Sequence, residues 1–428
     1  MSEFPDLANL SAEETADAVI SAGQSAAGEV AEPSSLSDLN VMAVVAVTLA
    51  GIGCFFNLYA TQPILPLLEI IFHASKVSVG RTVSAATLGV AISAPFCGML
   101  AERIGRRRVI VWSIFLLAVP TIGAATAVGL HQLVVWRFFQ GLVMPGIFGV
   151  TMAYITEEWP RSQVARVMSI YVSGTVLGGF LGRFLTGVAA THSLFPFVPP
   201  NWRQGFICIG LLDLVFGVVL WRWLPPDTPL APSPATGAFG FLRHLRNPQL
   251  VATYAVGFSV LFTLVATFTY VTFYMAAPPF LLTPAELSTV FMVYLVGLII
   301  TPLGGVWISH VGSRTAVVGA VAGGIAGVLL TLVPHLWAVL VGLTLCSSGV
   351  FVCQSAASSY IQREARSGGR ASAAGLYVMF YYLGGSVAGV VPGVLWRYGQ
   401  WKACVALIVV VQLISMTIAA SSWKGRET

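Results

Sequence analysis

From Val41 onward the chain alternates apolar runs of about 20 residues with short polar connections, and almost no charge falls inside the runs. A helix of about 20 residues rises roughly 30 Å, the thickness of a bilayer's hydrocarbon core. Backbone polar groups in hydrocarbon must be satisfied internally, and the runs lack the alternation of lipid-facing strands. The pattern therefore predicts an all-α polytopic membrane protein. About twelve spans are expected, near 41–68, 78–101, 108–128, 131–155, 164–190, 204–224, 249–275, 286–309, 315–333, 336–360, 372–394 and 402–421. The longest polar connection, Pro225 to Pro248, falls between the sixth and seventh. It reads as a linker joining two six-helix bundles, 41–224 and 249–423.

Composition agrees: of 428 residues, 57% are hydrophobic and only 9% charged, where a soluble domain carries about 25% charged residues. The net charge of +5 does not describe a nucleic-acid patch, because the basic residues sit in the short connections that set orientation. Two of the 22 Lys and Arg, Arg137 and Arg183, fall within spans. Five (Lys76, Arg81, Arg203, Arg397, Lys402) lie on one side, and about fifteen lie on the other, with the linker and the C-terminus. That bias predicts cytoplasmic termini and a cytoplasmic linker. Residues 1–40 hold eight acidic side chains and no Lys or Arg, which excludes the basic start of a signal peptide and suggests a mostly disordered tail. The six cysteines lie in or beside apolar spans without a C-x-x-C pair, so they read as packing residues rather than disulfides or metal ligands.

The chain also repeats itself. Gly98–Arg108 reads GMLAERIGRRR, and a worn copy, Gly305–Arg314 (GVWISHVGSR), begins 207 positions later. Each follows a proline three residues ahead of its first glycine, Pro95 and Pro302. Tyr154, Glu158, Tyr171, Leu177-Gly178-Gly179 and Gly187 recur 206 positions on as Tyr360, Glu364, Tyr377, Leu383-Gly384-Gly385 and Gly393. Six spans per half make this a parallel repeat, an internal symmetry typical of secondary transporters, whose solute sites lie near the midplane.

Three ionisable residues, Arg137, Arg183 and Asp213, fall inside spans, where charge is costly and usually faces a cavity or a partner. Both arginines lie outward of their span centres, and Asp213 is nearer the middle of the sixth span. Asp213 has two readings, a proton site or a static polar group inside a supporting bundle. Asn57, Tyr59, Gln62 and Gln140 in the first half, with Tyr270, Tyr274, Tyr294, Gln354, Tyr377 and Tyr381 in the second, are the candidate cavity residues. Amide and aromatic groups with little fixed charge suit a lipophilic or weakly polar solute. Glu69, His73 and Glu286, near the mouth away from the linker, read as loop charges or as proton-binding groups.

At these residues the chain resembles the major facilitator superfamily from Val41 to Trp423. Gly98, Glu102, Arg103, Gly105, Arg106 and Arg107 match its loop motif G-x-x-x-D-R-x-G-R-R, with Glu102 in place of the usual Asp. Arg137-Phe-Phe-Gln-Gly141 resembles the fourth-helix motif of its proton-linked exporters. Gly174, Gly178, Gly179 and Gly182 resemble the fifth-helix antiporter motif, although its usual Gly-Pro is here Gly178-Gly179. With Tyr59–Pro63, Gly182-Arg183 and Tyr381-Tyr382-Leu-Gly384-Gly385, the set is similar to the acriflavine-sensitivity branch of bacterial efflux permeases.

The resemblance implies a secondary transporter exporting a small organic compound by alternating access with proton antiport. Glu102 and Arg106 would then latch the cytoplasmic side when the outside is open. The second copy, with Ser309, His310 and Ser313, would latch weakly. The expected partners are a small-molecule substrate, protons and the bilayer, with no nucleic acid, no cofactor, no metal and a monomeric chain. A proton-coupled uptake permease has the same architecture, and a non-transporting membrane sensor signalling through the tail is the alternative of another class. No enzyme is expected, because the glycine-rich runs lie inside apolar helices without a nucleophile and base.

Overall fold

The computed structural model describes residues 40–227, 244–364 and 370–423; the tail 1–39, most of the linker and the C-terminal end lie outside the described residues. The described chain is helical throughout, with no strand. We number the helices α1 (Val41–Ile71), α2 (Lys76–Ile104), α3 (Arg106–Ala125), α4 (Leu130–Glu158), α5 (Arg161–Thr191) and α6 (Trp202–Trp223) in the first half. In the second half they are α7 (Pro248–Ala276), α8 (Pro284–Val311), α9 (Ser313–Leu330), α10 (Leu336–Glu364), α11 (Arg370–Ala388) and α12 (Val391–Ser422). Among the described residues eleven are long and apolar enough to cross a membrane, and α11, of 19 residues, is the twelfth helix of the set.

Polar caps start many of these helices. Asn40 accepts from Ala43 N at 3.1 Å, and Asn247 accepts from Gln249 N at 2.9 Å. Thr283 and Glu286 form a reciprocal capping box at the start of α8. Where the repeated loop motif ends α2 and α8, Gly105 (φ 94°) and Gly312 (φ 84°) turn the chain in a left-handed conformation that disfavours a side chain. This turn explains why those two glycines survive in both copies when the charges around them do not.

The expected boundaries shift in one place. The eleventh span ends at Ala388, not near 394, and α12 begins at Val391 with Pro392 in its first turn. Proline has no N–H to extend the preceding helix but fits the opening turn of a new one. α12 then kinks at Gly399–Gln400 before its long apolar stretch. α1 is also broken: an α-helix (Val41–Leu58) stops at Tyr59–Thr61 and resumes through a 3₁₀ turn (Gln62–Ile64).

Helices α1–α6 pack as one bundle and α7–α12 as the other, with matching pairs: α1 on α5 as α7 on α11, α2 on α4 as α8 on α10, α3 on α6 as α9 on α12. The bundles meet along two seams that the repeat also relates, α2 against α11 and α5 against α8. Within the first bundle, glycines set the α1–α5 distance. A Cβ on Gly178 would lie 2.4 Å from Ile52 O, and one on Gly182 would lie 2.0 Å from Phe56 O. In the second bundle, Gly384 approaches Phe258 O in the same way, at 2.0 Å. Apolar helices in lipid gain little by burying apolar surface, so small residues that let backbones touch carry the association.

Gly182→Leu is expected to destabilise the protein by on the order of 3 kcal/mol through overpacking, whereas Gly98→Ala, with nothing within 4 Å of the added carbon, should stay within about 0.5 kcal/mol of wild type. Thermal unfolding of both variants in micelles checks this, and a Gly182→Leu variant melting with the wild type would refute the packing argument.

Candidate functional site

The break in α1 governs the site. Ending a helix inside the membrane strips carbonyls of their usual partners, and no water is at hand to replace them. Arg137 of α4 fills that need. Its Nη1 donates to Asn57 O at 2.6 Å, its Nη2 to Leu58 O, and its Nε to Thr82 O of α2 at 3.2 Å. Nη1 also meets Gln140 Oε1 at 2.6 Å. All of these polar side chains are fully buried.

The network continues away from Arg137. Gln140 Nε2 donates to Asn57 Oδ1 at 3.0 Å and to Thr121 Oγ1 at 2.8 Å. Asn57 Nδ2 donates to Asp213 Oδ2 at 2.9 Å and to Gly53 O at 3.0 Å. Asp213 is the only fully buried carboxyl group among the described residues, and its Oδ1 has no hydrogen-bond partner. It lies beside Gly53 within the first bundle. Asn57 and Gln140 therefore spend their polar groups inside that bundle, not on its face toward the other.

Arg183 occupies a different setting. Its Nε donates to Gln62 Oε1 at 2.7 Å, and Gln62 Nε2 donates in turn to Thr269 Oγ1 of α7 at 3.0 Å. The guanidinium carbon stands 4.7 Å from the ring centre of Tyr59 and 4.9 Å from those of Phe291 and Tyr294. Thr269, Phe291 and Tyr294 belong to the second bundle, so Arg183 bridges the two halves. Around it the second bundle presents an aromatic wall. Tyr294 packs on Phe351 at 5.1 Å, Tyr377 on Tyr381 at 5.8 Å, and the Tyr381 hydroxyl donates to Gln354 Oε1 at 2.9 Å. Tyr382 meets Phe148 of the first bundle at 5.8 Å. Tyr270 and Tyr274 point elsewhere: Tyr270 donates to Gly389 O at 2.7 Å, and Tyr274 stacks on Trp401 at 5.9 Å.

The basic loop after α2 closes onto its own bundle. Arg106 pairs with Glu157 at the end of α4. Arg107 Nε donates to Leu224 O and its Nη2 to Trp221 O, each at 2.6 Å, and Arg107 N donates to Asp227 Oδ1 at 2.8 Å. Gly105 offers no side chain to cap α3, so Asp227 of the linker supplies the anion at that helix N-terminus. Glu102 and Arg103 remain exposed. In the worn copy, Arg363 bonds the hydroxyl of Ser313.

Residues 47–422 match the family model of the Major Facilitator Superfamily. The chain belongs to this superfamily. Among relatives of this major facilitator, an uncharacterized transporter of Buchnera aphidicola subsp. Schizaphis graminum is 30% identical over 379 residues, covering 88% of this chain and 90% of that protein. The inner membrane transport protein YnfM of Escherichia coli (strain K12) is 30% identical over 373 residues, covering 86% and 87%. A bacterial homologue of the human lysosomal transporter Spinster shares the fold with a TM-score of 0.74 at 15% identity, covering 90% of this chain and 96% of that one. The protein is thus a multi-pass membrane protein of a transporter superfamily.

Sequence reasoning did not nominate Thr121, Thr269, Phe291, Glu157 or Asp227. Glu157 and Asp227 carried a signal, as acids at the linker end beside a basic loop; a threonine or phenylalanine in an apolar span carries almost none. Glu69 ion-pairs with Lys76 at 2.6 Å, and Glu286 is occupied in its capping box.

Arg137→Met leaves three backbone carbonyls and Gln140 without their donor and is expected to cost about 3 to 5 kcal/mol; a melting temperature equal to the wild type's would count against this account. Asp227→Ala removes the borrowed cap, worth about 1 kcal/mol, and should speed protease cleavage of the linker in the folded protein.

Proposed function

We propose that this major facilitator exports a small organic compound across the inner membrane by alternating access, driven by proton antiport, with the halves 41–224 and 249–423 moving about a linker on the cytoplasmic side. The carrying observation is a taper along both seams between the bundles. On the α2–α11 seam a Cβ added at Gly80 would lie 2.1 Å from Gly389 O, one at Gly385 lies 3.3 Å from Thr87, and one at Gly375 lies 3.9 Å from Pro95. On the α5–α8 seam the distance grows from 2.4 Å (Gly187 to Ser288) to 3.6 Å (Gly179 to Tyr294). Contact is tightest at the end away from the linker and loosens toward it. This taper supports the reading of a molecule shut on the side away from the linker, as one state of an alternating-access cycle requires.

The excess of Lys and Arg at the linker end supports reading that end as cytoplasmic; the shut side would then face out. The clasp fits the same cycle. Arg106 and Arg107 are held by Glu157, Asp227 and backbone carbonyls of their own bundle while the linker side is loose. Closing that side would bring Glu102 and Arg106 toward the second bundle, where they would act as the latch. For the coupling ion, Asp213 supports the reading. It is a buried carboxyl group connected through Asn57 and Gln140 to Arg137 and the broken first helix. A change in its proton occupancy would alter the hydrogen bond that Asn57 makes, and with it the packing of α1.

The test is transport in proteoliposomes with an imposed pH gradient and a panel of ethidium, chloramphenicol and benzoate. Accumulation that survives collapse of the gradient by a protonophore would eliminate antiport. Asp213→Asn is expected to abolish gradient-driven accumulation while sparing solute exchange at equal pH.

A further inference from the structure

Arg137 and Arg183 are alike in sequence and burial but not in chemistry. All three nitrogens of Arg137 end on oxygen acceptors. Arg183 is only 1% exposed, yet it is satisfied at two nitrogens alone: Nε on Gln62 and Nη1 on Gly179 O. Its Nη2 meets no acceptor, and no carboxylate pairs with it, among the described residues. A guanidinium in a bilayer interior without a counter-ion is costly, and such residues ordinarily pair or face a solute path. Three ring faces soften the cost through cation–π contact, but they do not neutralise the charge.

We propose that Arg183 is the receptor for the carboxylate of a planar, aromatic organic anion, which is the solute this transporter carries between its bundles. The inference rests on the transport reading above and names the class of solute. Three features of the arrangement favour such an anion. First, a carboxylate gives a guanidinium the charge-assisted, bidentate partner that Gln62 and a single carbonyl do not. Second, Tyr59, Phe291 and Tyr294 set ring faces within 5 Å of that charge, so a flat apolar body attached to the carboxylate finds aromatic surface beside its anchor. Third, Arg183 is held from both halves, by Gln62 and Tyr59 on one side and Phe291 and Tyr294 on the other, so bound solute bears on the seam that must open. Among the described residues a cation finds no matching carboxylate between the bundles, because the one fully buried carboxyl group there, Asp213, lies inside the first bundle behind Asn57. The proposal differs from the lipophilic or weakly polar solute expected from the sequence, where the tyrosines and amides were visible but the hydrogen-bond partners of Arg183 were not.

The experiment compares benzoate and 2-naphthoate with benzamide, 2-naphthamide and benzylamine as ligands of the full chain in lipid nanodiscs, read by the shift in melting temperature with ligand concentration. The carboxylates are expected to stabilise the wild-type protein, and the amides and the amine to have no effect at the same concentrations. Arg183→Gln should weaken carboxylate binding by at least about tenfold, and Arg183→Lys should retain part of it. Equal stabilisation by acid and amide, stabilisation by the amine alone, or no stabilisation by any carboxylate overturns the proposal, and these wild-type comparisons hold even if a variant fails to fold. Proteoliposome transport separates the two readings. Benzoate that binds through Arg183 but moves independently of the pH gradient leaves the anion receptor standing and removes antiport. Gradient-driven movement of a neutral or cationic solute that persists in Arg183→Gln does the reverse.

Discussion

A helix interrupted inside a bilayer must find donors for the carbonyls it frees, and here one arginine supplies them. The break at Tyr59–Thr61 needs Arg137, and Arg137 needs a full set of acceptors to be tolerated at that depth. Each solves the other's problem. The arrangement fixes α4 to α1 and α2, and Gln140 and Asn57 extend it to α3 and α6. Five of the six helices of the first bundle are tied by this single polar network. The sixth, α5, is joined instead by backbone contact along its glycines and by Thr186, which donates to Ala60 O at 2.5 Å beside the same break.

That division of labour leaves Arg183 available. It projects from the helix that is packed by glycines and lies at the junction where α1 resumes as a 3₁₀ turn. The broken helix thus presents Gln62 and Tyr59 toward the second bundle, while its upstream residue Asn57 turns inward. Two polar positions five residues apart in one span serve different ends, one structural and one at the interface. The second half lacks a counterpart to Arg137: its α7 runs unbroken from Pro248 to Ala276. The duplication therefore produced two similar frames, of which only the first carries buried charge among the described residues.

At the linker end the same asymmetry appears in the clasps. Gly105 and Gly312 both turn the chain with positive φ, so the backbone of the motif is shared. The charges are not. Arg106 and Arg107 engage Glu157, Asp227 and the carbonyls at the end of α6, whereas the second copy keeps a hydroxyl, Ser313, against Arg363. The first clasp joins the loop to Asp227 at the beginning of the linker, which ties the start of the connection between halves to the bundle with the internal charge network.

Much of the architecture was legible along the chain because hydrocarbon imposes a local rule. Each span must satisfy its own backbone, so length and apolarity alone count the helices. The repeat then pairs the halves, and Lys and Arg rank the two sides. Span ends at Pro392 and the break after Leu58 were less visible, because proline and small residues are common inside membrane helices. The site was legible only as a set of names. Asn57, Gln62, Gln140, Tyr270 and Tyr294 looked alike as polar tips in apolar runs, and spacing could not say which way each faced. Arg137 and Arg183 looked alike too. Only the packed structure distinguishes an arginine whose nitrogens all end on oxygen from one whose third nitrogen meets no acceptor among the described residues, because hydrogen-bond satisfaction is a property of neighbours brought together from several helices and is written in no single one of them.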